Sequence, residues 1–362
     1  MSKIGINMEN VKQQNRSSIL QFIQAKAPVS RKDIALATGL TPAAVTLICA
    51  ELIENGLLHE IGPTENSKSV GRKKILLEVN KDFCYLFVIC IEKQETVISV
   101  TDLGGKLGSQ DRLTTDSTEA PRDFLKKVSL RALKLLADIA EVQEQIRGVS
   151  VTIPGIINKS TGTSVRAFGI WDAPVAVRDI LEENLGLPVV IENNVNALAQ
   201  AELLYGAGRD RDDFLLIKWG PGVGCSIVAN RTIFDGNLGK AGELGHCIVE
   251  KNGLPCSCGK RGCLETKISF QALQEKYRQS GRGATAFDTM EQLGPVLRTP
   301  GMEQLFDEET DLFARMIVNS LSFLGKEHVV LCGKLLSDAG VRERLVRACM
   351  AYDGKITEED IT

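Results

Sequence analysis

GELGHCIVEKNGLPCSCGKRGCLE, residues 242–265, gathers one imidazole and three thiols into a single short segment: His246, Cys256, Cys258 and Cys263. Tetrahedral Zn²⁺ takes four nitrogen or sulfur donors, and a histidine followed after a turn by three cysteines supplies a Cys₃His set. The neighbours Ser257, Gly259, Lys260, Arg261 and Gly262 are small or polar, so the thiols do not belong to a hydrophobic run. With four protein donors the site has no open position for substrate or water. It is therefore expected to be structural, with one Zn²⁺ per chain.

The surrounding chain is long enough for two or three domains at 362 residues, and its 43% hydrophobic and 25% charged content is that of a globular protein. No apolar run approaches the roughly 20 residues needed to span a bilayer. The N-terminus lacks a basic-then-apolar signal pattern, so a cytoplasmic location is expected. The other seven cysteines, Cys49, Cys84, Cys90, Cys225, Cys247, Cys332 and Cys349, occur singly among apolar residues and are expected to be buried thiols. The net charge of −3 conceals an asymmetry: residues 1–80 hold ten Lys/Arg against seven Asp/Glu, and the remainder 33 against 39. A modest positive excess on the first segment alone suits nucleic acid at that end.

Residues 1–80 read as a winged helix-turn-helix. Val11, Ile19, Phe22 and Ile23 recur at helical spacing from Asn10 to Lys26, and Pro28 ends the run. Ser30 and Asp33 form a capping-box pair for a short helix that Gly39 terminates. Thr41 caps a third helix with Pro42 in its first turn and Val45, Ile48, Leu52 and Ile53 on its inner face, until Gly56 stops it. In such a motif the second of the paired helices enters the major groove. Pro42, Ala43, Ala44 and Thr46 would face outward, a surface of small residues able to approach base edges and thymine methyls closely. The following LLHEIG and VGRKKILLEV flank a polar turn and predict a β-hairpin wing, with Arg72, Lys73 and Lys74 against phosphates. The DNA-contact set is thus Ser30, Thr41, Pro42, Ala43, Ala44, Thr46, Arg72, Lys73 and Lys74. A winged helix used only for protein contacts is the alternative.

From Phe83 the pattern changes to strands CYLFVICIE and TVISVTD, a turn at Leu103–Lys106 and a third strand. An amphipathic helix from about Pro121 to Val142 leads to the strand IRGVSVTIPG, and strands and helices alternate to Leu331, an α/β architecture.

Taken together, the helix-turn-helix, GRKKILLEVN at 71–80, the IPG turn, IENNVNALAQAE at 191–202, GPGVGCSIV, GNLGKAGELGH at 236–246 and CSCGKRGCLE resemble the ROK family of repressors, open reading frames and sugar kinases, in its transcriptional-repressor branch. The resemblance covers nearly the whole chain. It implies a two-lobed actin-like, ribonuclease-H-like fold with a sugar in the cleft, so that the chain divides into a DNA-binding head at 1–80, a first lobe at 81–193 and a second lobe with the zinc loop at 194–362. It also implies that Asn193, Asn194, Glu243, His246 and Glu265 touch the sugar, with Gly155 on the cleft floor and His246 shared between metal and sugar. Kinases of the family carry an aspartate base at the position of Asn194, and a neutral amide cannot accept the proton. They also carry a DxGGT phosphate loop where this chain reads CIEKQET, with Glu92 and Glu95 set to repel ATP. The chain is expected to be no enzyme but a repressor of carbohydrate genes, a homodimer or tetramer that binds operator DNA and a sugar or sugar phosphate. A ROK sugar kinase and a regulator controlled by a protein partner are the alternatives. After HVVLCG relatives usually continue through another strand and a final helix, which this chain is expected to lack, leaving apolar surface for dimerisation.

Overall fold

The computed structural model describes residues 8–63, 74–138, 140–279, 296 and 302–362. Its N-terminal part contains α1 (Met8–Lys26), β1 (Val29–Ser30), α2 (Arg31–Thr38), α3 (Pro42–Glu54), β2 (Leu58–Pro63) and β3 (Ile75–Val79), with the strands in the order β1-β3-β2. The caps act as their residue types dictate. Ser30 Oγ accepts from the Asp33 amide while the Asp33 carboxylate takes the Ser30 amide, and Gly39 closes α2 in the left-handed region at φ 69°. Thr41 Oγ accepts from the Ala44 amide at the start of α3. Ile19, Ile23, Ile34, Val45, Ile48, Cys49, Leu52, Leu58 and Leu77 fill the small core that these elements share. Val11, expected on the inner face of α1, lies on the exposed side instead.

The chain continues through β4 (Tyr85–Ile91), β5 (Glu95–Asp102), β6 (Leu107–Thr114), α4 (Pro121–Ala137), β7 (Ile146–Ile153), β8 (Ile156–Asn158), β9 (Thr163–Arg166), α5 (Val177–Leu185) and β10 (Val189–Asn193). The five long strands form one sheet in the order β10-β7-β4-β5-β6, with the two hairpins antiparallel and β7 and β10 parallel to β4. A parallel neighbour needs a crossover, which the helices supply while burying Phe124, Leu125, Val128, Ile180 and Leu181 on Phe87, Ile89 and Val151. The α4 helix ends at Ala137, short of the expected Val142, and a 3₁₀ turn over 140–145 replaces its last turn.

A second sheet repeats the plan. After α6 (Asn194–Tyr205) come β11 (Phe214–Trp219), β12 (Val223–Ala229), β13 (Thr232–Ile233), α7 (Glu265–Ile268), α8 (Phe270–Gln279), α9 (Met302–Leu324), β14 (Val329–Cys332) and α10 (Ala339–Tyr352). The order is β13-β12-β11-β14, again two antiparallel hairpin steps and a parallel partner returned by a crossover. Trp219 anchors the core of this half, stacked on Phe306 at 5.9 Å between ring centroids, edge-on to Phe313 at 4.9 Å, and donating Nε1–H to the Ile268 carbonyl at 2.7 Å. Two sheets built on one repeated strand order, with a cleft between them, are the two-lobed actin-like fold that the motifs implied. A helix, α10, follows β14, and the final residues pair along the edge of β14, with Val329 N–H bonded to Asp360 O at 2.8 Å and Leu331 N–H to Thr362 O at 2.7 Å. Asp338 caps α10 through the Gly340 and Val341 amides. This Asp-initiated helix is plain in the sequence once its cap is noticed.

The reciprocal Ser30–Asp33 box is the local contact that starts α2. Ser30→Ala is expected to cost about 1 kcal/mol of local stability. Hydrogen exchange at the α2 amides should then accelerate roughly fivefold; unchanged exchange would mean that the box contributes nothing.

Candidate functional site

The ends of β4, β7 and β10 and the turn between β11 and β12 face one another across a cleft with about 850 Å³ of empty space, part of it open to solvent. Carboxyl ends of parallel strands are where an α/β sheet leaves room for a ligand, since the chain departs there in opposite directions. Gly155, Asn193, Asn194, Glu243, His246 and Glu265, distant in sequence, all line it. Gly155 has φ 93°, and a Cβ there would fall on the Arg166 carbonyl oxygen, so the floor tolerates only glycine.

Asn193 does more structural work than its expected role allowed. Its Oδ1 accepts from the Val195 and Asn196 amides at 2.8 and 3.1 Å, capping α6, and its Nδ2 donates to the Gly155 carbonyl at 2.8 Å. Only one N–H of the side chain is left for a ligand. Asn194, buried, donates Nδ2–H to Glu92 Oε1 at 2.9 Å, and Lys218 Nζ reaches the same oxygen at 2.7 Å. Lys218, Lys93 and Phe168 also line the cleft and escaped the sequence reading. The available signal was a lone lysine inside the apolar strand FLLIKW. Glu95, paired in expectation with Glu92, lies elsewhere: it meets Arg112 across β5 and β6 at 2.6 Å on an exposed surface.

On the opposite wall, burial first and the Glu265 charge second push the Glu243 carboxyl up to about 7. Glu265 is fixed by accepting the Val223 amide at 3.1 Å. His246 is 7% exposed and lies edge-on to Phe168 at 4.6 Å between ring centroids. Its Nε2 faces Glu243 Oε2 at 3.7 Å while its Nδ1 lies 3.4 Å from Cys256 Sγ. One ring nitrogen therefore looks into the cleft and the other into the cysteine cluster.

The donor atoms of His246, Cys256, Cys258 and Cys263 all lie within 4.8 Å of one another, the one such group among the described residues. Cys258 and Cys263 Sγ are 3.6 Å apart, too far for a disulfide and close to the edge, about 3.8 Å, of a tetrahedron with bonds of about 2.3 Å. The cluster could hold a metal ion, and its spacing fits one. Short backbone bonds shape the loop, including Cys256 N–H to Lys260 O at 2.8 Å, and Gly262, at φ 70°, packs on the Glu250 carbonyl where no Cβ fits. Arg166 reaches over from β9 to the carbonyls of Ser257 at 2.6 Å and Cys258 at 3.2 Å, tying the loop to the other lobe. Cys247, expected buried, is exposed at the end of the 3₁₀ turn Leu244–His246.

In the head, Thr41, Pro42, Ala43 and Thr46 are exposed and Ala44 is half-buried on α3. Ser30 is not on that surface: it is 3% exposed and its hydroxyl donates to Asp33 Oδ2 at 2.6 Å, a cap under the domain. Lys74 is half-exposed beside Asp33 at 3.3 Å, and Arg72 and Lys73 lie outside the described residues. Head and body meet through α1. Gln24 Nε2 donates to Leu103 O at 2.9 Å and to the Tyr205 hydroxyl at 2.8 Å, and Lys26 pairs with Asp210. Among the described residues no helix is long and apolar enough to cross a membrane.

The cluster geometry makes a direct prediction. Elemental analysis of the purified chain should give about one metal ion per molecule, and Cys258→Ser should abolish it and lower the melting temperature. Equal metal content in the variant would mean that these four residues are not the ligands.

The ROK family model matches residues 89–353, and a model described as winged helix-turn-helix DNA-binding matches residues 13–58. A putative xylose repressor from Caldicellulosiruptor sp. (strain Rt8B.4) is 31% identical over 263 residues, 73% of this chain and 65% of that protein, so the match spans just under two thirds of the relative's length. A solved ROK family transcriptional regulator, a homolog of the E. coli MLC protein, superposes with a TM-score of 0.78 at 23% identity over 96% of this chain and 91% of that one. A ROK hexokinase from Thermus thermophilus gives 0.60 at 24% identity over 76% and 91%. The latter two likenesses establish the fold. With the family model covering most of its length, the chain belongs to the ROK family.

Proposed function

We propose that this chain is a DNA-binding transcriptional repressor of carbohydrate genes whose hold on operator DNA is set by a sugar or sugar phosphate in the cleft. The similarity to a protein named as a xylose repressor supports the reading, and the seat of the head on the body carries it. Gln24 of α1 bonds at once to Leu103, in the turn between β5 and β6, and to Tyr205 at the end of α6. The head therefore straddles both lobes. The other end of α6 is the Asn193–Asn194 corner of the cleft, roughly 18 Å away along a rigid helix. A ligand that changes the angle between the lobes cannot leave both head contacts intact. Its differential affinity for the two lobe arrangements becomes a differential affinity for DNA.

The chain divides, on this reading, into head 1–80, first lobe 81–193 and second lobe 194–362. It acts as a homodimer, or as a tetramer made of two such dimers, because two recognition helices must match half-sites a helical turn or a multiple apart. The metal is Zn²⁺ in a structural role, held by His246, Cys256, Cys258 and Cys263, and it stiffens the loop that bears Glu243 and Glu265. Vicinal sugar hydroxyls both donate and accept, which suits the carboxylates, the amides and the His246 ring of this cleft.

Phosphoryl transfer has no proton acceptor on this reading. The Asn194 amide donates to Glu92, and Glu92 is itself held by Lys218 where a nucleotide phosphate would need an uncluttered cradle. The kinase reading is tested alongside the main one. A panel of sugars and sugar phosphates should contain a compound that raises the melting temperature and shifts operator affinity, with no nucleotide consumed in a coupled assay. Stabilisation without a change in DNA affinity would favour control by a protein partner, and turnover of ATP would favour the kinase. Gln24→Ala should leave ligand affinity unchanged and shrink the ligand's effect on operator binding by about fivefold, the weight of one hydrogen bond. A full response in that variant would mean that the signal runs elsewhere.

A further inference from the structure

We infer that α3 reads its half-site by apolar contact with thymine methyl groups in the major groove, and that Leu47 is the side chain that sets this specificity. The inference rests on the DNA-binding reading above and deepens it.

The buried side of α3 is Val45, Ile48, Cys49 and Leu52. Ala43, Thr46, Leu47 and Ala50 are exposed and fall on one stripe, since residues three and four apart share a helix face. An inventory of this stripe finds almost nothing that can hydrogen-bond a base. Ala43, Leu47 and Ala50 carry no polar side-chain atom. The Thr46 hydroxyl donates to the Pro42 carbonyl at 2.7 Å, so its proton is already committed within the helix. Glu54 ends the stripe with an acceptor and a negative charge, and Glu51 beside it is held by Lys12 at 3.1 Å and Arg16 at 2.9 Å. Bidentate recognition of guanine or adenine takes Arg, Lys, Asn or Gln. None of these occurs within PAAVTLICAELIE, and Asn55 stands beyond the last turn, whereas base contacts come from the first turns of such a helix.

One major-groove feature remains that an apolar surface can recognise, the C5 methyl of thymine. Leu47 is 70% exposed, one turn into the helix from the Ala43 position, and is the largest apolar group on the stripe. Flanking alanines let the backbone approach the groove closely enough for a leucine to reach a methyl. Burying that methyl against Leu47 removes apolar surface from water on both partners, which gives discrimination without a hydrogen bond.

The test starts by enriching a binding site from random duplexes with the full chain. Thymines of the enriched site are then replaced singly by deoxyuridine, which removes the methyl and keeps the pairing, and guanines by 7-deazaguanine, which removes the N7 acceptor. Deoxyuridine should weaken binding about fourfold at one or two positions in each half-site, the worth of one buried methyl group. Deazaguanine under α3 should change nothing. Leu47→Ala, an exposed position, should bind the thymine site about fourfold more weakly and lose the penalty for deoxyuridine. An enriched site indifferent to deoxyuridine, or a penalty of the same size in Leu47→Ala, overturns the inference alone. Leu47→Ala that alters self-association and leaves DNA binding intact also overturns it, assigning the leucine to a protein contact. Failure to enrich any duplex would instead fall on the DNA-binding reading and take the inference with it.

Discussion

The amide of Asn193 is the joint on which the rest of the molecule hangs. It is the last residue of a strand in the first sheet and the cap of the first helix in the second half, and its side chain satisfies the Val195, Asn196 and Gly155 backbone groups together. A helix start otherwise leaves its amide donors without partners, and a buried unsatisfied group costs about 1–3 kcal/mol. Gly155 is held in turn by its left-handed backbone and by the Arg166 carbonyl that excludes any side chain. Arg166 belongs to the same strand pair and reaches the carbonyls of the cysteine loop. Cleft floor, lobe junction and cysteine loop are therefore one connected unit. It explains how residues from four sequence segments reach a common geometry.

The centre of the cleft is held by a small electrostatic network. Glu92 and Lys218 form an ion pair at 2.7 Å, with Lys218 largely buried and Glu92 less so. Such a pair gains less than its distance suggests, because both charges give up water, but breaking it strands a charge and costs more than the pair was worth. Asn194 donates to the same Glu92 oxygen, so the network is satisfied as it stands. A phosphate arriving beside Glu92 would meet a like charge and would have to share Lys218 with it. The amide at 194 and the carboxylate at 92 are thus mutually compatible partners. An aspartate at 194 would be set against Glu92 as a like-charge pair at hydrogen-bond range, which neither lobe could hold ionised without cost.

Much of this was legible in the sequence, for reasons specific to each part. Caps are local, so Ser30, Gly39, Thr41 and Pro42 announced the head's helices without any tertiary information. The His/Cys cluster was legible because a closed metal site would need particular atoms at short spacing, whatever the fold around it. Strands showed in the apolar runs of the first sheet. The roles of single polar residues were harder, because a side chain's partners are set by chain segments far away. Asn193 was read as a ligand group and proved to spend most of its capacity on backbone; Ser30 was read as a surface contact and is buried under its own helix. Glu92 finds Lys218 126 residues away, a pairing that no local pattern carries. Cys247 next to His246 was misjudged because an apolar neighbourhood in sequence says nothing about which side of a 3₁₀ turn faces water.

The placement of His246 shows why the loop and the cleft behave as one site. A ligating histidine is oriented by what its other nitrogen meets, and here Nδ1 faces the thiols while Nε2 faces Glu243. With Nδ1 committed to a metal, the proton of the neutral ring stands on Nε2 and points toward the Glu243 carboxyl and the ligand space. Phe168 packs edge-on against the ring. A metal at the cluster would therefore fix the tautomer of a group lining the cleft as well as the path of the loop. Sugar recognition depends on donors and acceptors fixed in alternation, so a ring free to exchange tautomers would present the ligand with two patterns instead of one. With a metal bound, the cysteine cluster would make one wall of the cleft chemically single-valued.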